Sequence, residues 1–443
     1  MSKNTIIKGT FILTATGLLT RLIGFFFRIF LSHTFGEEQV GLYQLIFPIY
    51  TLCFSLSSAG IETALSRCIA QKLSCGKKAE ADTILYQALL ISLSVSLLLS
   101  FLLRRNATFL SIYILGDLRC DTLLSTLAYA LPFASVHCCI HGYYLGQKQT
   151  KIPAISQFAE QAARVGAVYM IYRMSLNNAA LSSIQIAVVG LIIGECTSAL
   201  FCVRSFCQIP HIRFSIVHLW KMRSLGKELI KLATPLTFTR VLTTILQSIE
   251  NISIPLRLQA YGFSNSEALS TYGVLTGMAL PCILFPTALT NSVSTMLLPT
   301  VAEIQATDNI KQLRFLVRRV ILFGFVFGSV CGIGFLLLGS IIGNILFDSS
   351  LSGNFIQTLA WICPFLYMNT TLISILNGLG RTSSTFIINV CSLLIRIGGV
   401  WCAIPSFGMQ GYLWGLLISQ LLVSILCITL LRRYVVAKKT CCK

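Results

Sequence analysis

Arg21, Arg28, Arg164, Arg240 and Arg396 each interrupt a long run of apolar residues, where a guanidinium is costly unless it faces protein or a water-filled cavity. A guanidinium presents a planar fork of donors, so two or three in one cavity would bind phosphate or pyrophosphate bidentately. Arg28 follows Arg21 by seven residues, two helical turns on nearly the same face. Glu160 precedes Arg164 by four, the spacing at which side chains on one helix meet, so this pair is expected to neutralise itself as a structural pair. Arg396 is expected to be structural too, bonded to carbonyls of a neighbouring helix. Glu62, Glu195 and Glu250 remain as coupling groups or charge partners. The competing arrangement is a salt bridge from Arg21 or Arg240 to Glu62 or Glu250 that locks helices together.

The elements that must hold these residues are membrane helices. Hydrophobic residues make up 55% of the chain and charged ones 11%, whereas a soluble surface needs roughly a quarter charged. Stretches of about 20 apolar residues suit the thickness of a bilayer core. The expected crossings are 10–32, 40–62, 83–103, 123–146, 152–173, 184–206, 229–251, 268–291, 319–345, 355–377, 383–404 and 410–431. Within them Arg21, Arg164, Arg240 and Arg396 all lie about 11 to 13 residues in, near mid-depth at 1.5 Å per residue. Pro235 and Pro255 flank the expected seventh helix. Pro281 and Pro286, with Gly273 and Gly277 just before them, interrupt the eighth.

The net charge of +19 sits mostly in alternate connectors, those near Lys77, Lys148, Lys221, Arg314 and Arg381. The opposite side receives only Arg104, Arg105, Arg119, Arg173 and Arg257. An imbalance of about five to one places both termini in the cytoplasm of a multi-pass plasma-membrane protein. It also removes the need for a nucleic-acid partner. Met1 to Lys8 leads into a full-length apolar stretch without a cleavage pattern, so the first helix is expected to stay.

Enzyme signatures are missing. There is no GxxxxGK[ST] and no HExxH. His137 and His141 form the one i, i+4 histidine pair, and nothing supplies a third ligand, so no metal and no cofactor are expected. The 17 cysteines are scattered through apolar stretches without a CxxC pair and read as small buried hydrophobes.

The chain is a tandem repeat. Leu127, Ala128, Pro132 and Phe133 recur as Leu359, Ala360, Pro364 and Phe365, a shift of 232 from position 132 to 364. The same shift carries Arg164, Gly166 and Val168 onto Arg396, Gly398 and Val400. Thr20-Arg21 resembles Thr239-Arg240, and Gly190 and Gly194 are echoed by Gly411 and Gly415. Six crossings per repeat is an even number, so the halves share one orientation, the parallel-repeat plan of a transporter. The expected fold is therefore all-α, with about 12 transmembrane helices in an N-terminal bundle, 1–215, and a C-terminal bundle, 216–443. A basic connector at about 204–231, containing Pro210, His211, His218 and Trp220, joins them through an amphipathic helix. Homologous helices of two repeats meet at the pseudo-axis where such transporters bind substrate. This makes Arg21, Arg28 and Arg240 the substrate-binding candidates.

The stretch from Thr20 to Gln71, with Arg21, Gly24, Arg28, Gly36, Gly41, Tyr43, Pro48, Gly60 and Arg67, resembles the stage V sporulation protein B and polysaccharide biosynthesis family of the multidrug/oligosaccharidyl-lipid/polysaccharide exporter superfamily. The resemblance covers essentially the whole chain. It implies two six-helix bundles forming a V around a central cavity, and alternating access for a lipid-linked saccharide of the undecaprenyl-pyrophosphate type, with membrane lipids and cell-wall synthesis enzymes as further partners. Family arginines in the first helix, matched by Arg21 and Arg28, are expected to face that cavity. Many relatives carry two more helices after the twelfth, where this sequence ends at Lys443. Three function classes follow. The first is a flippase for a cell-wall saccharide precursor, in peptidoglycan, polysaccharide or spore-cortex formation. The second is a cation-coupled drug exporter, which would favour an acid-lined pocket over mid-depth arginines. The third is a non-transporting scaffold for envelope assembly.

Overall fold

In a bilayer every backbone N–H and C=O must be bonded within the protein, and helices alone do this segment by segment. The computed structural model describes residues 3–175, 183–208, 223–306 and 310–441, and among these no strand occurs. Nine helices among the described residues are long and apolar enough to cross a membrane, or ten counting the bent pair Ser350–Ala360 and Cys363–Gly378, which turns by 59°. Two further facts reconcile this with the twelve expected crossings. The span Thr14–Ser74 holds a break at Gly36, whose φ of 78° is a left-handed conformation open to a residue without Cβ, so it carries the first and second crossings. The expected fifth crossing is the helix Lys151–Ser175, which forms although Lys151, Glu160, Arg164 and Arg173 dilute its apolar character.

The proline expectations divide. Pro235 and Pro255 do not flank the seventh helix: Arg223–Tyr261 runs as one helix through both. Neighbouring helices and side chains can satisfy the carbonyl that a proline leaves unbonded. The eighth crossing is interrupted as expected. It runs as Asn265–Gly273, a π turn Val274–Ala279 containing Gly277, Leu280–Leu284, and a turn at Phe285-Pro286 before Thr287–Ala306. Pro210, His211, His218 and Trp220 of the basic connector lie outside the described residues.

The chain divides into two compact units, Met1–Phe27 with Leu42–Ser248, and Arg28–Gly41 with Ile249–Lys443. In the first, a core of Leu65, Ile69, Ile84, Leu85, Tyr143 and Tyr144 is sealed between helices Gly60–Ser74, Lys78–Arg105 and Ala130–Gly146. Buried hydroxyls bond to the helix Lys78–Arg105 or from it: Ser58 bonds Ser92 at 3.1 Å, Ser96 bonds Ser135 at 3.0 Å, and Ser100 donates to the Ala128 carbonyl. In the second unit Leu372, Ile375, Leu376, Val301 and Cys427 form the core. There Asn369 donates to Gln420 and accepts from Ser424.

Candidate functional site

Small residues set the geometry of the charged groups in the first unit. Gly190 and Gly194 lie on one face of the helix Gln185–Cys207 and meet the helix Lys151–Ser175. A Cβ on Gly190 would strike Val168, and one on Gly194 would fall 2.9 Å from the Glu160 carbonyl and 3.2 Å from the Arg164 Cβ. This close approach, built on a small-xxx-small pattern, brings Glu195, the next residue, beside the Glu160 and Arg164 pair. Arg164 Nη2 donates to Glu160 Oε1 at 2.7 Å, the expected i, i+4 pair, and lies 3.9 Å from Glu195 Oε1. Tyr50 donates its hydroxyl to the same Glu195 oxygen at 3.1 Å. His137 Nδ1 faces the other, Oε2, at 3.2 Å, without the alignment of a hydrogen bond. Glu195 is 6% exposed.

The histidine expectation needs correction here. The i, i+4 spacing of His137 and His141 suggests a pair with no third ligand. Instead the two point to different partners: His141 Nε2 meets the Ser156 hydroxyl, while the carboxylates of Glu160 and Glu195 converge on His137, their nearest atoms all within 4.8 Å of one another. Glu160 and Glu195 stand 23 and 58 residues downstream of His137, on two other helices, and no local spacing announces the meeting.

The second unit repeats the design with a different acid. Gly411, on the helix Met409–Cys441, packs against the Ala403 carbonyl, and Gly415 lies 3.5 Å from Gly399 Cα, each measured from an added Cβ. Glu250, fully buried on Arg223–Tyr261, accepts from Arg396 Nε and from the Tyr412 hydroxyl, both at 2.7 Å on the same oxygen. Arg396 is therefore paired, and its partner is this carboxylate and not a set of helix carbonyls. The competing salt bridge from Arg21 or Arg240 to Glu250 does not occur among the described residues; Arg396 pairs with that acid.

The remaining candidates are placed as follows. Arg240 lies on Arg223–Tyr261, which packs on the second crossing through Ser248 to the Pro48 carbonyl at 3.0 Å, Thr244 to Ser55 at 3.1 Å, and Thr237 against Gly60. It is exposed, and near enough to half-buried Glu62 to act on it electrostatically without a direct ion pair. Glu62 accepts instead from the Cys138 thiol at 3.4 Å. Arg21 is exposed on the helix Lys3–Phe54 and makes no ion pair among the described residues. Arg28, two turns further along, is partly buried and belongs to the second unit.

A helical membrane protein with two buried acid–arginine clusters and exposed arginines on its first and seventh crossings has clear relatives. The family model of polysaccharide biosynthesis proteins matches residues 6–305. The chain is similar to stage V sporulation protein B of Bacillus subtilis (strain 168), at 24% identity over 432 residues, which is 96% of this chain and 83% of that one. Among solved structures it resembles the inward closed conformation of the lipid II flippase MurJ, with a TM-score of 0.75 at 15% identity, covering 95% of this chain and 87% of that one. It also resembles an inward-facing multidrug resistance MATE family transporter of the MOP superfamily, with a TM-score of 0.72 at 15% identity, covering 95% and 96%. These two likenesses establish the fold. With a family model spanning well over half of its length, the chain belongs to the polysaccharide biosynthesis protein family.

Proposed function

We propose that this protein is a membrane flippase that carries a lipid-linked cell-wall saccharide across the bilayer by alternating access, with Arg21, Arg28 and Arg240 binding the pyrophosphate or acidic sugar. One observation supports this reading above the others. Arg164 and Arg396 are each held by a carboxylate, whereas Arg21 and Arg240 are exposed and make no direct ion pair among the described residues. A guanidinium in an apolar helix with no acid to neutralise it calls for an anionic partner. A protein of similar fold that bears the name of a lipid II flippase supports reading that partner as a lipid-linked saccharide.

In this reading the repeats are 1–215 and 216–443, and both termini and the basic connectors face the cytoplasm. The chain binds and moves its cargo without altering a covalent bond. Reconstitution into vesicles with lipid II and, separately, with other undecaprenyl-linked saccharides tests it. Protein-dependent movement of at least one of these lipids across the bilayer is expected. Failure to move any of them, from protein shown to be folded and inserted, contradicts the proposal.

A further inference from the structure

The two buried clusters differ in charge, and the difference points to a ligand. In the second unit one acid, Glu250, meets one guanidinium, Arg396, and the charges cancel. In the first unit Arg164, at the repeat-equivalent position, meets two acids, Glu160 and Glu195. One negative charge is left over, in a place where an uncompensated charge is strongly penalised. The groups further out do not remove it. Glu62 and Arg240 add one charge of each sign. His141 is engaged with Ser156, and the Cys138 thiol with Glu62. Tyr50 donates a hydrogen bond but no charge.

We infer that His137, with Glu160 and Glu195, forms a binding site for one exchangeable proton. The surplus calls for a single positive charge. A divalent ion would reverse its sign, and a hard metal cation prefers a shell of oxygens, whereas the atom facing Glu195 Oε2 at 3.2 Å is a ring nitrogen. Neither His137 Nδ1 nor Glu195 Oε2 has a hydrogen-bond partner among the described residues. A proton on the imidazole cancels the surplus and stands within ion-pair distance of Glu195 Oε2. Histidine is also the side chain whose ordinary range lies between about pH 5 and 8. The proton would tie together the helices Ala130–Gly146, Lys151–Ser175 and Gln185–Cys207, which supply these three residues.

The test counts protons. Purified full-length protein in detergent is titrated between about pH 8 and pH 5, and uptake per chain is compared among variants. His137→Gln is expected to take up one proton fewer than the parent. Glu160→Gln, which removes the surplus charge and leaves the imidazole, is expected to lose the same proton. Glu250→Gln, in the balanced cluster, is expected to leave the count unchanged, as is exchanging sodium for potassium in the buffer. Equal uptake by His137→Gln and the parent overturns the inference, and so does displacement of the proton by sodium. Should the variants fail to fold, ring resonances of His137 in protein with its other histidines replaced decide the matter: an imidazole that never protonates across this range overturns it. None of these measurements uses the transported lipid, so their failure is distinct from failure of the flippase proposal.

Discussion

Arg396 donates from Nε to Glu250 Oε1 at 2.7 Å across 146 residues of sequence, and the Tyr412 hydroxyl donates to the same oxygen. The bond joins the seventh and eleventh crossings inside the second unit, with the Glu250 side chain 1% exposed and that of Arg396 25%. Its role follows from its burial. An ion pair with one partner removed leaves a buried charge, which costs about 3 to 5 kcal/mol, so Arg396→Ala is expected to lower the unfolding midpoint in detergent sharply. Glu250→Gln combined with Arg396→Gln should cost less than the two single changes added, because residues in contact do not act additively. Additive losses would show that the two side chains do not depend on each other.

Helix approach at Gly194 gives a second prediction. A side chain there would meet the Glu160 carbonyl, part of a helix backbone that cannot swing aside. Gly194→Val is expected to destabilise by about 1 to 3 kcal/mol, the usual cost of overpacking. Gly166, on the facing helix, has nothing within 4 Å of its would-be Cβ among the described residues. Gly166→Ala should therefore be neutral or stabilising by about 0.5 to 1 kcal/mol, the helix preference of alanine. Thermal unfolding of the two variants side by side checks both, and equal losses would contradict the packing described.

Topology can be read by labelling. In a background freed of its 17 cysteines, single cysteines placed near Lys77, Lys148, Arg314 and Arg381 are expected to resist a membrane-impermeant reagent added from outside, while one near Arg119 or Arg257 reacts. External labelling near Lys77 would reverse the orientation.

The fold was largely legible in the sequence because a bilayer leaves so few solutions. Apolar length marked the spans, and the recurrence of Arg164, Gly166 and Val168 at Arg396, Gly398 and Val400 marked the repeat. Equivalent arginines do occupy buried acid clusters on glycine-packed helices in both units. The partners of those arginines were less legible. Glu160 was readable from Arg164 because they share a helix, whereas Glu250 reaches Arg396, and Glu195 reaches His137, only through packing between helices distant in sequence. Nothing in the one-dimensional pattern distinguishes Glu250, paired by Arg396, from Glu62, which makes no ion pair among the described residues. Pro235 and Pro255 were misread for a related reason. A proline signals a helix end in water, but inside a membrane protein the surroundings can satisfy the carbonyl it leaves unbonded, and Arg223–Tyr261 continues through both.

The identity of the arginine used also carries information. Arg21→Lys and Arg240→Lys keep the charge but lose the bidentate fork, so they should restore only part of the transport lost in the alanine variants. Full rescue by lysine would mean that charge alone suffices and that no planar oxyanion is gripped.

Binding of the lipid-linked substrate by Arg21→Ala in detergent tests the central claim most directly. Loss of one charged contact typically costs about 2 to 5 kcal/mol, which is more than tenfold in affinity. The predicted result is a variant that folds and inserts like the parent, binds lipid II or a related undecaprenyl-linked saccharide more than tenfold more weakly, and transports none. A variant that folds normally and binds as tightly as the parent would contradict the account, making Arg21 a structural residue and removing the flippase mechanism's main support in the chain.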